Sequence, residues 1–258
     1  MSISVVFFDC WDTLLQDSVE LSEEIDARIA DLLSAALGVE RGFVERAVRG
    51  EGEEFSAAIR DGRTVVTPAT RIGSVLDALA ASGAVAAVPE RAGELTARTL
   101  AAVDDAIRQV PPQVVPGARE LLRELRSAGV LMCVVSNTGW TSTEAVTRAL
   151  DRQGLLAYFS ACYFSGDGYR PKPSPEMFVR ALHDLGLDPP RALHFGDQAR
   201  TDAAAALAAG LRGVVLLEGG SRYGARQGAG PGEDRRIIRV GSLDAGRELV
   251  LGLIGRPG

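Results

Sequence analysis

Four short stretches place groups capable of chemistry at the ends of apolar runs. They are FFDCWDTLL around Asp9, VVSNTGW around Ser136 and Asn137, RPKPSPEMF around Lys172, and HFGDQARTD around Asp197 and Asp202. Two carboxylates beside an open coordination position suit Mg²⁺, which takes one or two protein carboxylates and fills its shell with water or substrate phosphate oxygens. A hydroxyl, an amide and an ammonium suit a phosphoryl group, whose charge must be neutralised as it transfers. A carboxylate such as Asp9 can also attack phosphorus itself and divide hydrolysis into two steps through an aspartyl-phosphate. Composition sharpens the choice of residues: Lys172 is the only lysine and Asn137 the only asparagine, every other basic side chain being Arg apart from two His. Taken singly, each group has a plainer reading. Ser136 and Asn137 equally suit a turn after a strand, Lys172 a solvated charge between prolines, and Asp202 a helix-start carboxylate favoured by the helix dipole.

The elements that would carry these groups follow from hydrophobic pattern. Residues 5–8 are apolar without alternation, as in a strand buried on both faces of a parallel sheet. Helical spacing then dominates: Ile25, Ile29, Leu32, Leu33 and Leu37 precede Gly38, a second helix spans 43–60, and Pro68 and Pro89 open two more. After the proline-rich linker 109–117 the pattern alternates, with strands at 130–135, 161–164, 192–195, 213–217 and 236–240. Helices fall at 118–128, 142–153, 175–185, 201–209 and 243–254. Such alternation predicts an α/β fold, a doubly wound and mostly parallel sheet in right-handed βαβ units. The predicted division is an α/β core from 1–16 and 110–258 with an inserted all-helical cap at 17–109. Carboxyl ends of strands in one parallel sheet converge, so Asp9, Ser136, Asn137 and Asp197 are expected around one site. Residues 219–232, with six glycines and one proline, read as a loop.

Charge and apolar content exclude several classes. The 258 residues are 46% hydrophobic and 24% charged with net charge −6, and no basic stripe offers a surface for nucleic acid. No apolar run is long enough to span a membrane, and the N-terminal run lacks the basic flank of a secretory signal. Cys10, Cys133 and Cys162 read as reduced core thiols, which suits a cytoplasmic location. His194 lies inside an apolar strand and is expected to be a hydrogen-bonded core residue. His183 and Arg41 are expected at the surface.

The four stretches, in this order, resemble the motifs of the haloacid-dehalogenase (HAD) superfamily of hydrolases, in its phosphatase-like branch with a helical cap. The resemblance covers nearly the whole chain. It implies that Asp9 is the nucleophile and a Mg²⁺ ligand, that Ser136 and the Asn137 region hold phosphoryl oxygens, and that Lys172 neutralises both nucleophile and transferring group. It implies further that Asp197 binds Mg²⁺ and that Asp202 supports the metal or its waters. The substrate implied is a small phosphorylated metabolite, with no nucleic acid or membrane partner. One position departs from the pattern. Two residues after the nucleophile such phosphatases usually carry a second Asp, the general acid and base; here that residue is Trp11, followed by Asp12. Indole cannot exchange a proton in this way, although the Trp11 main-chain carbonyl could still meet the metal. Two other readings therefore stand beside the phosphatase. One is a metal-independent 2-haloacid dehalogenase acting through Asp9, with Arg41 as an anion anchor; the other is a binding or regulatory protein on the same scaffold.

Overall fold

The computed structural model describes residues 2–61, 64–87, 90–218 and 234–254. Six strands form one sheet in the order β3-β2-β1-β4-β5-β6, every neighbouring pair parallel. In chain order they are β1 (Val5–Phe8), β2 (Leu131–Ser136), β3 (Ala161–Phe164), β4 (Ala192–Gly196), β5 (Gly213–Leu217) and β6 (Ile237–Val240). The expected strands are thus present and the sheet is wholly parallel among the described strands. The order doubles back at β1, which is the first strand in sequence and third in space. At such a reversal the crossover helices leave on opposite faces and open a crevice at the carboxyl ends.

Between β1 and β2 come four helices: α1 (Val19–Leu37), α2 (Arg41–Asp61), α3 (Pro68–Ala81) and α4 (Ala92–Gln109). Local chemistry sets their ends. The Ser18 hydroxyl accepts from the Leu21 amide to start α1, and Gly38 stops it in the left-handed region at φ 65°. Thr67 and Thr70 form a reciprocal capping box at the start of α3, with Pro68 in its first turn. Pro89, expected to open α4, and the loop 219–232 both lie outside the described residues. The later helices are α5 (Ala118–Ser127), α6 (Thr143–Arg152), α7 (Glu176–Leu185), α8 (Ala204–Ala208) and α9 (Leu243–Ile254). The helix expected over 201–209 is shorter than that pattern, because Ala199–Ala203 form a π-helical turn before α8. Such wide turns often sit at functional sites, and this one carries Asp202.

Strand residues alternate between two apolar cores. Val6, Phe8, Val134 and Phe195 face α5, α6 and α9, in a core continuous with the four inserted helices. Val5, Phe7, Cys133 and Val135 face α7 and α8. Phe8 stacks on Phe195 with ring centroids 5.2 Å apart, and Phe7 meets the edge of Phe178 at 5.4 Å on the other face. Apolar packing on both faces fixes the register of β1 between β2 and β4, since a slip by one residue would send each side chain to the wrong face. That register aligns Phe8 with Val134 and Phe195. Asp9 therefore emerges level with the ends of both neighbouring strands.

Candidate active site

Asp9 follows directly on β1, and its amide donates to the Phe195 carbonyl at 2.9 Å, extending the ladder to the carboxylate itself. Ser136 ends β2, and Asp197 follows Gly196 at the end of β4. The sheet thus brings together the three strand ends expected from the sequence. Lys172 arrives from the segment before α7. Its Nζ donates to Asp9 Oδ1 at 2.7 Å, to Asp202 Oδ1 at 2.6 Å and to the Val135 carbonyl at 2.9 Å. All three hydrogens of the ammonium are accounted for, and the side chain is only 2% exposed.

Asp202 is the most committed carboxylate of the group. Besides Lys172, its Oδ1 accepts from His194 Nε2 at 2.9 Å, and its Oδ2 accepts from the Gln198 amide at 3.0 Å. A Cβ on Gly196 would run into this side chain, 2.6 Å from Asp202 Cβ, so the close approach requires glycine there. Asp202 is therefore no dipole-capping surface carboxylate. His194 is the hydrogen-bonded core residue expected of it, with its ring edge-on to Phe178 at 4.9 Å.

Electrostatics divide the two carboxylates that share Lys172. Burial works against the charge on Asp202, but Lys172 and His194 more than offset it and hold the carboxyl well below its usual range. For Asp9 burial wins: its pKa is raised, with the Asp202 charge adding to the rise and Lys172 and the Ser136 hydroxyl pulling the other way. Burial also disfavours the Lys172 ammonium, yet Asp202 and Asp9 together keep it firmly protonated. Asp9, Asp197 and Asp202, all buried, each present a carboxylate oxygen within 4.8 Å of the others. Three carboxylates around one ammonium leave a surplus of negative charge on hard oxygen donors, a donor set that fits Mg²⁺.

Asn137 takes a different place from Ser136. Its Oδ1 accepts from the Lys172 amide at 2.7 Å and its Nδ2 donates to the Lys172 carbonyl at 2.9 Å. Both ends of the side chain thus hold the Lys172 backbone. Asp12 stands in the left-handed region at φ 56°, which Asp tolerates better than most residues. Its Oδ1 accepts from the Asp17 amide at 3.0 Å, so this carboxylate organises the turn after β1. Trp11 is half-buried against the apolar core shared with the inserted helices. Arg41 pairs with Asp31 and Glu45 on an exposed surface, and His183 is solvated. Cys10, Cys133 and Cys162 are free thiols, the latter two pushed by burial up to about 12 and about 11.

One feature beside the site escapes motif reasoning. Arg71 of α3 and Glu51 of α2 form a buried ion pair, 4% and 6% exposed, with Arg71 Nε 2.8 Å from Glu51 Oε1. The readable signal was position: Arg71 falls on the apolar stripe of α3 with Pro68, Ile72, Val75 and Leu79.

With this geometry in view, comparison with known proteins is direct. The sequence profile described as haloacid dehalogenase-like hydrolase matches residues 3–210. The chain belongs to the haloacid dehalogenase-like hydrolase family. Phosphoglycolate phosphatase of Pseudomonas syringae pv. tomato is 27% identical over 256 residues, 98% of this chain and 85% of that protein. Protein CbbY of Rhodobacter capsulatus is 32% identical over 103 residues, 40% of this chain and 44% of that one. The chain thus spans less than half the length of CbbY, and 40% of human haloacid dehalogenase-like hydrolase domain-containing protein 3. Among solved structures, a 2-haloacid dehalogenase from Pseudomonas syringae pv. Tomato DC3000 shares the fold. Its TM-score is 0.67 at 22% identity, covering 97% of this chain and 98% of that one. A magnesium-bound HAD-hydrolase from Bacillus subtilis gives 0.62 at 17% identity over 97% and 99% of the two chains. In this family's fold no described helix is long and apolar enough to cross a membrane.

The shared ammonium makes a stability prediction. Lys172→Met would leave two buried carboxylates facing each other without a counter-charge, and removing one partner of a buried pair typically costs about 3–5 kcal/mol. The native Asp202 pKa lies below the ordinary 3.8. Its contribution is therefore present above 3.8 and lost as pH falls through the native value. In the variant the sign reverses: Asp9 and Asp202 take up protons more readily when folded, and stability rises as pH falls from 7 toward 5. Urea unfolding at several pH values in EDTA checks this; a variant as stable as the parent at pH 7 contradicts the charge account.

Proposed function

We propose that the chain is a Mg²⁺-dependent phosphohydrolase acting through an aspartyl-phosphate on Asp9. The observation that carries this reading is Lys172 Nζ held between Asp9 and Asp202 beside a third buried carboxylate, Asp197. The phosphatase names of the relatives above, and of a ribulose-1,5-bisphosphate 5-phosphatase that is 33% identical over 103 residues, support the same reaction class.

In this reading Asp9 and Asp197 hold the metal, the Trp11 main-chain carbonyl adds a ligand, and Asp202 supports the metal or its waters. Bound there, Mg²⁺ would neutralise phosphoryl oxygens and orient the phosphorus toward Asp9. Lys172 fixes one oxygen of Asp9, so the carboxylate is aimed before substrate arrives, and its ammonium offsets charge on the transferring group. Ser136 and the backbone after it receive the remaining phosphoryl oxygens. Asn137 serves that cradle by locking the Lys172 main chain. An Asp9 oxygen bonds to phosphorus as the bond to the leaving oxygen breaks. Water then attacks phosphorus, releasing inorganic phosphate and free Asp9.

The leaving oxygen needs a proton unless it is already a stable anion. Trp11 supplies none, and Asp12 is engaged with the Asp17 amide. The substrate class favoured is therefore a small phosphate ester or anhydride with a good leaving group, handled in the cytoplasm. The phosphatase reading is favoured over the dehalogenase one, whose proposed anchor Arg41 is exposed and paired with Asp31 and Glu45.

Two measurements test the reading. Phosphate release from an aryl phosphate is expected with Mg²⁺, abolished by EDTA and by Asp9→Asn; chloride release from 2-chloropropionate in EDTA would replace it with the dehalogenase. Trp11→Asp should raise activity toward simple alkyl phosphates by about 10²-fold or more, the usual range for a general acid. No rise would mean that the missing proton donor does not limit the reaction.

A further inference from the structure

The loop over residues 138–142 joins the predicted phosphate cradle to α6, and two inserted helices grip it. From α3, the Arg71 guanidinium lies 3.6 Å from the centroid of the Trp140 ring. On another side it stacks on Phe55 of α2 at 3.9 Å, while Glu51 binds its edge through Nε and Nη2. From α4, Asp104 accepts from the Ser142 hydroxyl at 2.7 Å and from the Ser142 amide at 3.3 Å. The core side of the loop is held as well, the Thr138 amide donating to Ser165 Oγ at 3.0 Å.

A buried arginine is costly unless its charge and its faces are both satisfied. Here Glu51 supplies the charge, and two aromatic rings belonging to different parts of the chain supply the faces. Phe55 and Glu51 belong to the insertion, whereas Trp140 belongs to the loop that begins two residues after Ser136. The stack can form only when insertion and sheet are together. Asp104 reinforces the coupling by accepting from Ser142, the N-cap of α6.

We propose that Arg71 is a positioning residue, through which the inserted helices α2 and α3 hold the 138–142 loop and thereby set the phosphate cradle at Ser136. The proposal rests on the phosphohydrolase reading for what the cradle binds, but not for the coupling itself. Separating the insertion from the sheet would take the cationic partner from Trp140 and loosen the loop, whereas in the packed arrangement Glu51 holds Arg71 in a fixed orientation against it. The planar guanidinium is needed, because a lysine ammonium cannot stack between two rings while binding a carboxylate edgewise.

The 258-residue chain and two variants, Arg71→Lys and Trp140→Leu, test this by two readouts. Hydrogen exchange of the Gly139, Trp140 and Thr141 amides should be about tenfold faster in either variant, while exchange in β1 and β4 stays at the parent rate. Inorganic phosphate, titrated with Mg²⁺ present, should bind about tenfold more weakly to either variant, and the double variant should bind no more weakly than the singles. Unchanged exchange in Arg71→Lys overturns the proposal, as do additive losses in the double variant. A KM increase confined to substrates with a second anionic group, with loop exchange unchanged, would overturn it in favour of direct substrate contact by Arg71. Should the parent chain bind no phosphate with Mg²⁺, the phosphohydrolase reading falls, and the exchange rates alone still decide the coupling. Trp140→Leu keeps the test available if Arg71→Lys does not fold.

Discussion

The Lys172 ammonium donates to Asp9 at 2.7 Å and to Asp202 at 2.6 Å, and the rest of the site is arranged so that this contact can exist. A cation and its carboxylates buried at the end of a sheet carry a large desolvation cost, met only when every hydrogen finds an acceptor. The Val135 carbonyl takes the third hydrogen, Asn137 locks the Lys172 backbone at both its amide and its carbonyl, and His194 and the Gln198 amide complete the shell of Asp202. Glycine at 196 gives Asp202 the room to approach. The result is a chain of buried hydrogen bonds, from Asp9 to Lys172 to Asp202 to His194, whose geometry is set by the protein itself.

That chain has its position because the sheet puts its parts there. β1 lies in the interior between β2 and β4, so the residue after Phe8 is walled on both sides by neighbouring strands. The same register that buries Phe7 and Phe8 on opposite faces delivers Asp9 beside Ser136 and Asp197. Next to the end of β2, the inserted helices meet the loop before α6 through Arg71 on Trp140 and Asp104 on Ser142. Trp11 stands where the motif resemblance leads one to expect an acid, and Asp12 Oδ1 accepts from the Asp17 amide.

Much of this was legible in the residues. The strands and most helices follow directly from apolar runs and helical spacing, because a sheet buried on both faces and amphipathic helices each leave a distinct period. The lone lysine and lone asparagine stand out in the sequence, and in the fold Lys172 bonds Asp9 and Asp202 while Asn137 bonds the Lys172 backbone. Other features were hidden for physical reasons. The bond between the Asn137 side chain and the Lys172 backbone, 35 residues away in sequence, has no local signature beside Ser136. The wide turn at Ala199–Ala203 is a backbone adjustment that brings Asp202 inward, and an alanine-rich helix pattern does not reveal it. Arg71 and Glu51 each look like ordinary helix charges until the two helices are packed, since an ion pair across elements has no local signature. Only the place of Arg71 on an apolar stripe hinted at burial.

The most direct test of a carboxylate prepared for attack is to catch the group it attacks. The enzyme would be mixed with an aryl phosphate carrying ³²P and with Mg²⁺, quenched in acid during turnover, digested and mapped. The account predicts an acid-stable, hydroxylamine-labile phosphoryl label on the peptide bearing Asp9, absent without Mg²⁺ and absent in Asp9→Asn. Phosphate release with no label at Asp9, or a label on another residue, would contradict it.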